Sequence, residues 1–287
     1  MPELPEVETV RRGLAPTLEG ARLVRVEARR PDLRFPLPPQ FAARLTGARV
    51  LGLTRRGKYI LAALSTDETW LIHLGMTGRF EVLRGVNARA PGEFVHVAPQ
   101  AAAHAHIVVE TESGARLTYF DARRFGFMDL AATATLAEHP RLVGMGPEPL
   151  GPDFTPKGLQ SAFAGRRQNV KALLLDQRVV AGLGNIYVCE ALFRARLSPR
   201  RAAGGVGLTR LARLTDAIRE VLEGAIAAGG STLRDFADVA GGAGYFQHRF
   251  EVYGREGEAC TRSACPGVVR RLVQGGRSTF FCPVCQT

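Results

Sequence analysis

Four cysteines close the chain and constrain it more than any other feature. Cys260, Cys265, Cys282 and Cys285 are spaced C-x4-C-x16-C-x2-C. Two close thiol pairs on either side of a short hairpin match a tetrahedral structural zinc site, and small four-cysteine ribbons depend on the metal to fold. Two disulfides or four free thiols are the alternatives. A fifth cysteine, Cys189, leaves an odd count, which argues against a secreted disulfide framework. Between the pairs runs "VVRRLVQGGRSTFF", where Gly275-Gly276 suits the two-residue turn of a β-hairpin. Gln274 and Arg277 then flank the tip. β-Ribbons enter DNA grooves, so an arginine-tipped ribbon is a candidate groove reader.

Charge points the same way. The chain has 287 residues and a formal net charge of +11, and a protein this basic most often meets a polyanion, nucleic acid first. Arginine is the default cation: Lys58, Lys157 and Lys171 are the only lysines among 38 basic residues. No run of 18 apolar residues suggests a membrane span, and the start is acidic with no signal-peptide core. These features predict a soluble intracellular protein.

Two textures divide the chain. The segments "RLVRVEAR", "ARVLGLTRRGKYILAAL", "TWLIHLGM", "RFEVL" and "HIVVETESGARLTYF" read as short strands of a β-sandwich or barrel. "RGVNARAPGEFVHVAPQAAA" reads as a long irregular loop. Beyond the middle the period becomes helical: "KGLQSAFAG", "NVKALLLDQ", "NIYVCEALFRARL" and "RLARLTDAIREVLEGAIAAGG". The expected fold is therefore α+β and multidomain. Residues 1–133 form the N-terminal sandwich with a leading helix, 134–150 a linker, 151–246 a helical module and 247–287 the cysteine ribbon.

The first ten residues, "MPELPEVETV", pose a separate question. Leu4, Val7, Val10 and Leu14 mark one face of an amphipathic helix, with Pro5 suited to its first turn. Glu6 and Glu8 sit near the positive helix start, and Arg11 and Arg12 near an expected end before Gly13. Helix physics does not account for Pro2 or Glu3. Further on, "VAGLGNIYVCEALF" sets Gly182, Gly184 and Asn185 ahead of a helix, with Asn185 as the expected N-cap. Helix N-termini attract phosphate, although glycine before a cap is also ordinary punctuation.

Taken together, "PELPEVE" at 2–8, "RRGKY" at 55–59, "HLGMTGR" at 73–79, "DARRFG" at 121–126, "GPEPL" at 146–150, "DQRVVAGLGNIYVCEALF" at 176–193 and the terminal cysteines span the chain in one order. In this the chain resembles the bacterial formamidopyrimidine-DNA glycosylase family of bifunctional base-excision repair enzymes. The resemblance implies an N-terminal β-sandwich, a helix-two-turn-helix module and a zinc finger holding one structural Zn2+. It implies a monomer acting on damaged duplex DNA in the bacterial cytoplasm, at the nucleoid. It also implies excision of oxidised purines, 8-oxoguanine and formamidopyrimidines, with lyase cleavage by β,δ-elimination.

By that resemblance Met1 is removed and the Pro2 amine is the nucleophile. A terminal amine, which ordinarily titrates at about 7.7–8.0, loses its proton far more easily than lysine at about 10.4. Glu3 matches the general acid, Lys58 a proton donor and phosphate contact, and Arg277 the zinc-finger arginine of the second elimination. Glu6 matches a further active-site acid. Met76, Arg123 and Phe125 match a set that fills the hole left by an extruded base. His104, Arg166, Lys171 and Asn185 match DNA contacts. "GGSTLRDFADVAGGAGYF" corresponds to a loop over the extruded base. One departure stands out: the first cysteine pair is C-x4-C where the family usually has C-x2-C.

Two rival readings differ in kind. An endonuclease VIII-like glycosylase shares the proline and the finger but excises oxidised pyrimidines. Its start typically reads P-E-G-P-E, against P-E-L-P-E here. A non-catalytic DNA-binding protein would need neither Pro2, Glu3 nor Lys58.

Overall fold

The computed structural model describes residues 2–84, 103–231 and 244–287. Most of the stretch expected to be a long irregular loop and most of "GGSTLRDFADVAGGAGYF" lie outside the described residues. Two compact units result: Met1–Val143 with Gly229–Tyr245, and Gly144–Ala228 with Phe246–Thr287.

The first unit opens with helix α1 (Leu4–Leu18) and continues with β1 (Leu23–Ala28), a short helix α2 (Phe41–Leu45), β2 (Val50–Arg56), β3 (Tyr59–Leu64), β4 (Glu68–His73), β5 (Arg79–Arg84), β6 (Ala105–Thr111), β7 (Ala115–Phe120) and β8 (Phe127–Ala132). The strands make two four-stranded antiparallel sheets, ordered β1-β6-β7-β5 and β2-β3-β4-β8. One apolar core serves both sheets and α1: Leu23, Ile107, Leu117 and Phe80 from the first, Leu53, Ile60, Trp70 and Met128 from the second, Val7, Val10 and Leu14 from the helix. Alternation is cleanest in β7, where Ala115, Leu117 and Tyr119 turn inward between Arg116 and Thr118.

Helix α1 does not stop before Gly13, as its sequence suggested. It runs through Pro16 to Leu18, because Leu14 and Leu18 continue the buried stripe into the core. It lies against β2 in opposite order. Gly20 N–H meets Val50 C=O at 2.8 Å, Arg11 reaches Leu53 C=O at 3.2 Å, and Glu8 pairs with Arg55 at 3.4 Å. The start of the helix is thereby directed toward the β2–β3 turn.

The second unit holds α3 (Pro156–Phe163), α4 (Val170–Leu175), α5 (Asn185–Arg194), α6 (Leu208–Ala227) and the hairpin β9 (Arg270–Gln274) with β10 (Arg277–Phe281). Helix α5 is buried continuously from Ile186 to Phe193 and is the spine of this unit. Gly275 and Gly276 both take positive φ, 55° and 73°, which fits the tight hairpin turn read from the sequence.

The linker expected at 134–150 divides instead at Gly144. Its second half is held to the α4–α5 turn, by Gly146 N–H to Gln177 C=O at 2.8 Å and Ala181 N–H to Pro147 C=O at 3.0 Å. The stem residues 229–231 and 244–245, expected with the helical module, belong to the first unit. The reason is a set of hydrogen bonds to Glu6, described below.

Candidate active site and nucleic-acid-binding residues

Pro2, Glu3 and Glu6 are all buried at the start of α1. Glu3 occupies the N-cap, so the residue unexplained by helix periodicity is the one that opens the helix. Its N–H donates to the Glu6 carboxylate at 2.8 Å. The other Glu6 oxygen accepts from Ser231 twice, N–H at 2.8 Å and hydroxyl at 3.0 Å. Ser231 in turn bridges to Tyr245. Glu6 therefore ties the helix start to the stem that brackets residues 232–243.

Lys58 is half-buried in the two-residue turn Gly57-Lys58, which joins β2 to β3; Gly57 supplies the positive φ of 55°. Arg55 donates to Gly57 C=O at 2.8 Å and pairs with Glu8 of α1, so the lysine turn is braced to the helix that carries Pro2 and Glu3. The opposite order of α1 and β2 sets the helix start and this turn at the same end of the unit.

His73, which sequence reasoning passed over inside "HLGMTGR", pairs with Tyr59 across β3–β4 beside that turn. Its ring stacks on Phe127 at 5.3 Å and leans on Tyr59 at 5.0 Å. Burial, followed by the charges of Lys58, Arg34 and Arg141, pushes its pKa down to about 4. The ring is neutral at pH 7. Because Nδ1 accepts from Gly75 N–H at 3.1 Å, the proton sits on Nε2, which is left as a donor. A strand-end histidine after a hydrophobic run, opening the "HLGMTGR" stretch, was the available signal.

Met76 and the pair Arg123 and Phe125 come from two turns, β4–β5 and β7–β8, that the fold brings together. A Cβ on Gly75 would lie 2.2 Å from the backbone of Phe125, so only glycine allows the two turns to touch. Phe125 is 40% exposed, an unusual placement for a large apolar ring, and the Arg123 guanidinium lies 4.7 Å from its centroid. Met76 is half-buried. His104 is half-buried in a turn ahead of β6. His106 is buried, with Nε2 on Asp121 C=O at 2.9 Å. A carbonyl can only accept, so that ring is a donor within the core.

In the second unit, Arg166 is exposed ahead of α4 and Arg277 is exposed at the hairpin tip. The N-cap of α5 is Gly184 rather than Asn185. Asn185 is the first helical residue, and its Nδ2 reaches Ser278 C=O at 2.9 Å and Tyr253 hydroxyl at 3.4 Å. Its buried Oδ1 has no hydrogen-bond partner among the described residues.

Lys171 corrects the sequence reading. It is fully buried, and its Nζ donates to Thr279 Oγ1 at 2.7 Å and Ser278 C=O at 3.1 Å. It braces the hairpin strand next to Arg277 and does not face solvent as a phosphate contact would. The helical pattern of "NVKALLLDQ" concealed this, since a lysine between apolar neighbours reads as exposed unless its distant partners are known.

The four tail cysteines converge, with their sulfur atoms all within 4.8 Å of one another. Sγ atoms of Cys260 and Cys285 are 3.8 Å apart, and those of Cys265 and Cys282 3.7 Å apart. A tetrahedron with metal–sulfur bonds of about 2.3 Å has edges of about 3.8 Å, whereas a disulfide needs about 2.05 Å. The donor set and spacing fit a four-thiolate metal site. The x4 spacing is absorbed by Ala264 at φ 59° and by Arg262, which donates to Phe193 C=O at 2.7 Å and Arg194 C=O at 3.0 Å at the end of α5. Glu190 of the same helix accepts from N–H groups of Glu251, Val252 and Tyr253 at 2.8–3.1 Å. Neither Arg262 nor Glu190 was singled out from the sequence.

Comparison with known proteins covers the whole chain. Residues 1–128 match the family profile of the formamidopyrimidine-DNA glycosylase N-terminal domain, and residues 145–237 match that of the formamidopyrimidine-DNA glycosylase H2TH domain. The formamidopyrimidine-DNA glycosylase of Phenylobacterium zucineum is 60% identical over 286 residues, 100% of both chains. The Lactococcus lactis Fpg solved with abasic-site DNA is 33% identical with a TM-score of 0.86, and MutM solved with carbocyclic 8-oxo-G DNA is 33% identical with a TM-score of 0.85. Each covers 100% of both chains.

Proposed function

This chain belongs to the formamidopyrimidine-DNA glycosylase family, and on that premise we propose how its own residues carry out base excision. The chain is a bifunctional DNA glycosylase and abasic-site lyase that acts as a monomer on damaged duplex DNA. Its substrates are oxidised purines, 8-oxoguanine and formamidopyrimidines. The observation that carries the catalytic reading is the burial of Pro2 and Glu3 together at the start of α1, with the Lys58 turn at the same end of the unit.

With Met1 removed, the Pro2 nitrogen is a secondary amine. It attacks C1′ of the lesion nucleotide, the bond from C1′ to the base breaks, and the base leaves with a proton. The sugar ring opens and the nitrogen is left as an iminium. That electron sink acidifies the 2′ carbon, whose proton is then lost as the 3′ phosphate departs; a second elimination expels the 5′ phosphate. Glu3 serves as the acid that assists ring opening. Lys58 meets phosphate and donates a proton, the second a task for an ammonium that an always-charged guanidinium does not perform. Arg277, exposed at the hairpin tip, assists the second elimination. His104, Arg166 and Asn185 contact DNA, and Met76, Arg123 and Phe125 fill the gap in the stack.

Cys260, Cys265, Cys282 and Cys285 hold one Zn2+, which folds the ribbon and supplies no step of the reaction. No helix among the described residues is long and apolar enough to cross a membrane. The proposed site of action is the bacterial cytoplasm, on nucleoid DNA.

A nicking assay over a lesion panel tests the reading. Faster cleavage at 8-oxoguanine and formamidopyrimidine than at oxidised pyrimidines is expected. The reverse order would favour the endonuclease VIII-like activity, and no nicking would favour a binding protein.

A further inference from the structure

Asp121 has no solvent exposure, and the groups bonded to it come from three separate stretches of chain. Its N–H donates to His104 C=O at 3.1 Å. Its own C=O accepts from Arg124 N–H at 3.2 Å and from His106 Nε2 at 2.9 Å. One carboxylate oxygen accepts from the Thr77 hydroxyl; the other accepts from Gly126 N–H at 2.7 Å and from the Tyr119 hydroxyl at 3.3 Å. Thr77 Oγ1 accepts in turn from Arg123 N–H at 3.2 Å.

Thr77 follows Met76 directly. Gly126 follows Phe125 directly, and Arg123 is reached through Thr77. One buried carboxylate therefore fixes both turns that carry the three side chains assigned to the hole in the stack. The packing leaves no slack around it. A Cβ on Gly126 would come within 2.0 Å of the Tyr119 hydroxyl, and one on Gly78 within 2.4 Å. A carboxylate suits this position because it only accepts, and its two oxygens offer about four lone pairs. An asparagine would aim an N–H either at Gly126 N–H or at the Thr77 oxygen, whose hydroxyl proton would then lose its acceptor.

We propose that Asp121 is a positioning residue for discrimination of the opposite base, holding the Met76 turn and the Arg123–Phe125 turn in one register so that their side chains enter the duplex as a set. This rests on the assignment of Met76, Arg123 and Phe125 to the opposite strand. Cytosine presents two acceptors, O2 and N3, to the Arg123 guanidinium, whereas adenine presents a donor at N6 and one acceptor on its pairing edge. Reading that difference needs the guanidinium placed to a fraction of an ångström, which a surface turn without a fixed support does not achieve.

The test is single-turnover excision of 8-oxoguanine opposite cytosine and opposite adenine, read as the ratio of the two rates. The same folded fraction enters both rates, so the ratio does not respond to stability alone. The unmodified enzyme should favour cytosine by about tenfold or more. Arg123→Ala and Asp121→Asn should each bring the ratio to within about threefold of one. Thr77→Val should lower the ratio, and Thr77→Ser, which keeps the hydroxyl, should preserve it. A folded Asp121→Asn enzyme with the unmodified ratio, while Arg123→Ala loses it, overturns the role of Asp121 alone. A ratio unchanged in Arg123→Ala removes the opposite-strand assignment and the proposal together. Should Asp121→Asn fail to fold, equal ratios in Thr77→Val and Thr77→Ser overturn the proposal.

Discussion

Ser231 reaches the carboxylate of Glu6 twice, through its N–H at 2.8 Å and its hydroxyl at 3.0 Å, across a sequence separation of 225 residues. The third donor on that carboxylate is Glu3 N–H. Glu6 thus holds at once Glu3, beside the proposed nucleophile, and Ser231 at the end of the 229–231 stem.

Removing Glu6 leaves those buried donors without their acceptor, and each such loss costs about 1–3 kcal/mol. Glu6→Ala should lower stability by about 3 kcal/mol, and Ser231→Ala by about 1 kcal/mol. The two changes should be coupled in a double-mutant cycle of thermal unfolding. Strictly additive losses would show that the contact contributes nothing.

His73 predicts a pH dependence. Its folded pKa, about 4, lies below the ordinary value of about 6.5. Between those two pH values the unfolded chain binds a proton that the folded chain does not. Stability should therefore fall as pH drops through that window, and this group should have no effect above it. NMR titration should find the His73 ring neutral, with its proton on Nε2, until close to pH 4. A midpoint near 6.5 would contradict the buried aromatic setting.

Much of the architecture was legible in the sequence because local physics and long-range packing agree there. Leu4, Val7, Val10 and Leu14 mark the face that α1 buries, and Gly275-Gly276 marks the hairpin. The cysteine spacing announced the cluster. The failures share one cause, since each depends on partners far away in the chain. Lys171 reads as a surface cation until Thr279, 108 residues on, is seen to receive it. Asp121 is an ordinary turn residue until Thr77 and Gly126 converge on it. Helix α1 outruns Gly13 because the core needs Leu18, which no terminator signal encodes.

Burial of Lys171 separates two roles experimentally. A phosphate contact releases counterions, so its loss reduces the salt slope of DNA binding by about one. Lys171→Met should leave that slope unchanged while lowering the melting temperature and weakening the second elimination, because the strand next to Arg277 loses its brace. A reduced slope with unaltered stability would return Lys171 to the DNA-contacting set.

Arg262 anchors the lengthened cysteine loop to the end of α5, where a cation also suits the helix dipole. Chelation should unfold the ribbon while the sandwich of the first unit stays folded. Arg262→Ala should release zinc to a chelator about tenfold faster, as expected for the loss of about 1.4 kcal/mol of charge-assisted hydrogen bonding. Elemental analysis without zinc, together with a disulfide between Cys260 and Cys265, would contradict the assignment of the site.

The central claim is that the Pro2 nitrogen forms a covalent imine with the damaged sugar. Borohydride added during turnover on 8-oxoguanine duplex should trap an enzyme–DNA adduct, and mass analysis of the digest should place it on the N-terminal peptide beginning at Pro2. A preparation that retains Met1, whose proline nitrogen is locked in an amide, should give no adduct. An adduct carried by Lys58, or an undiminished yield from the Met1-bearing chain, would contradict the account.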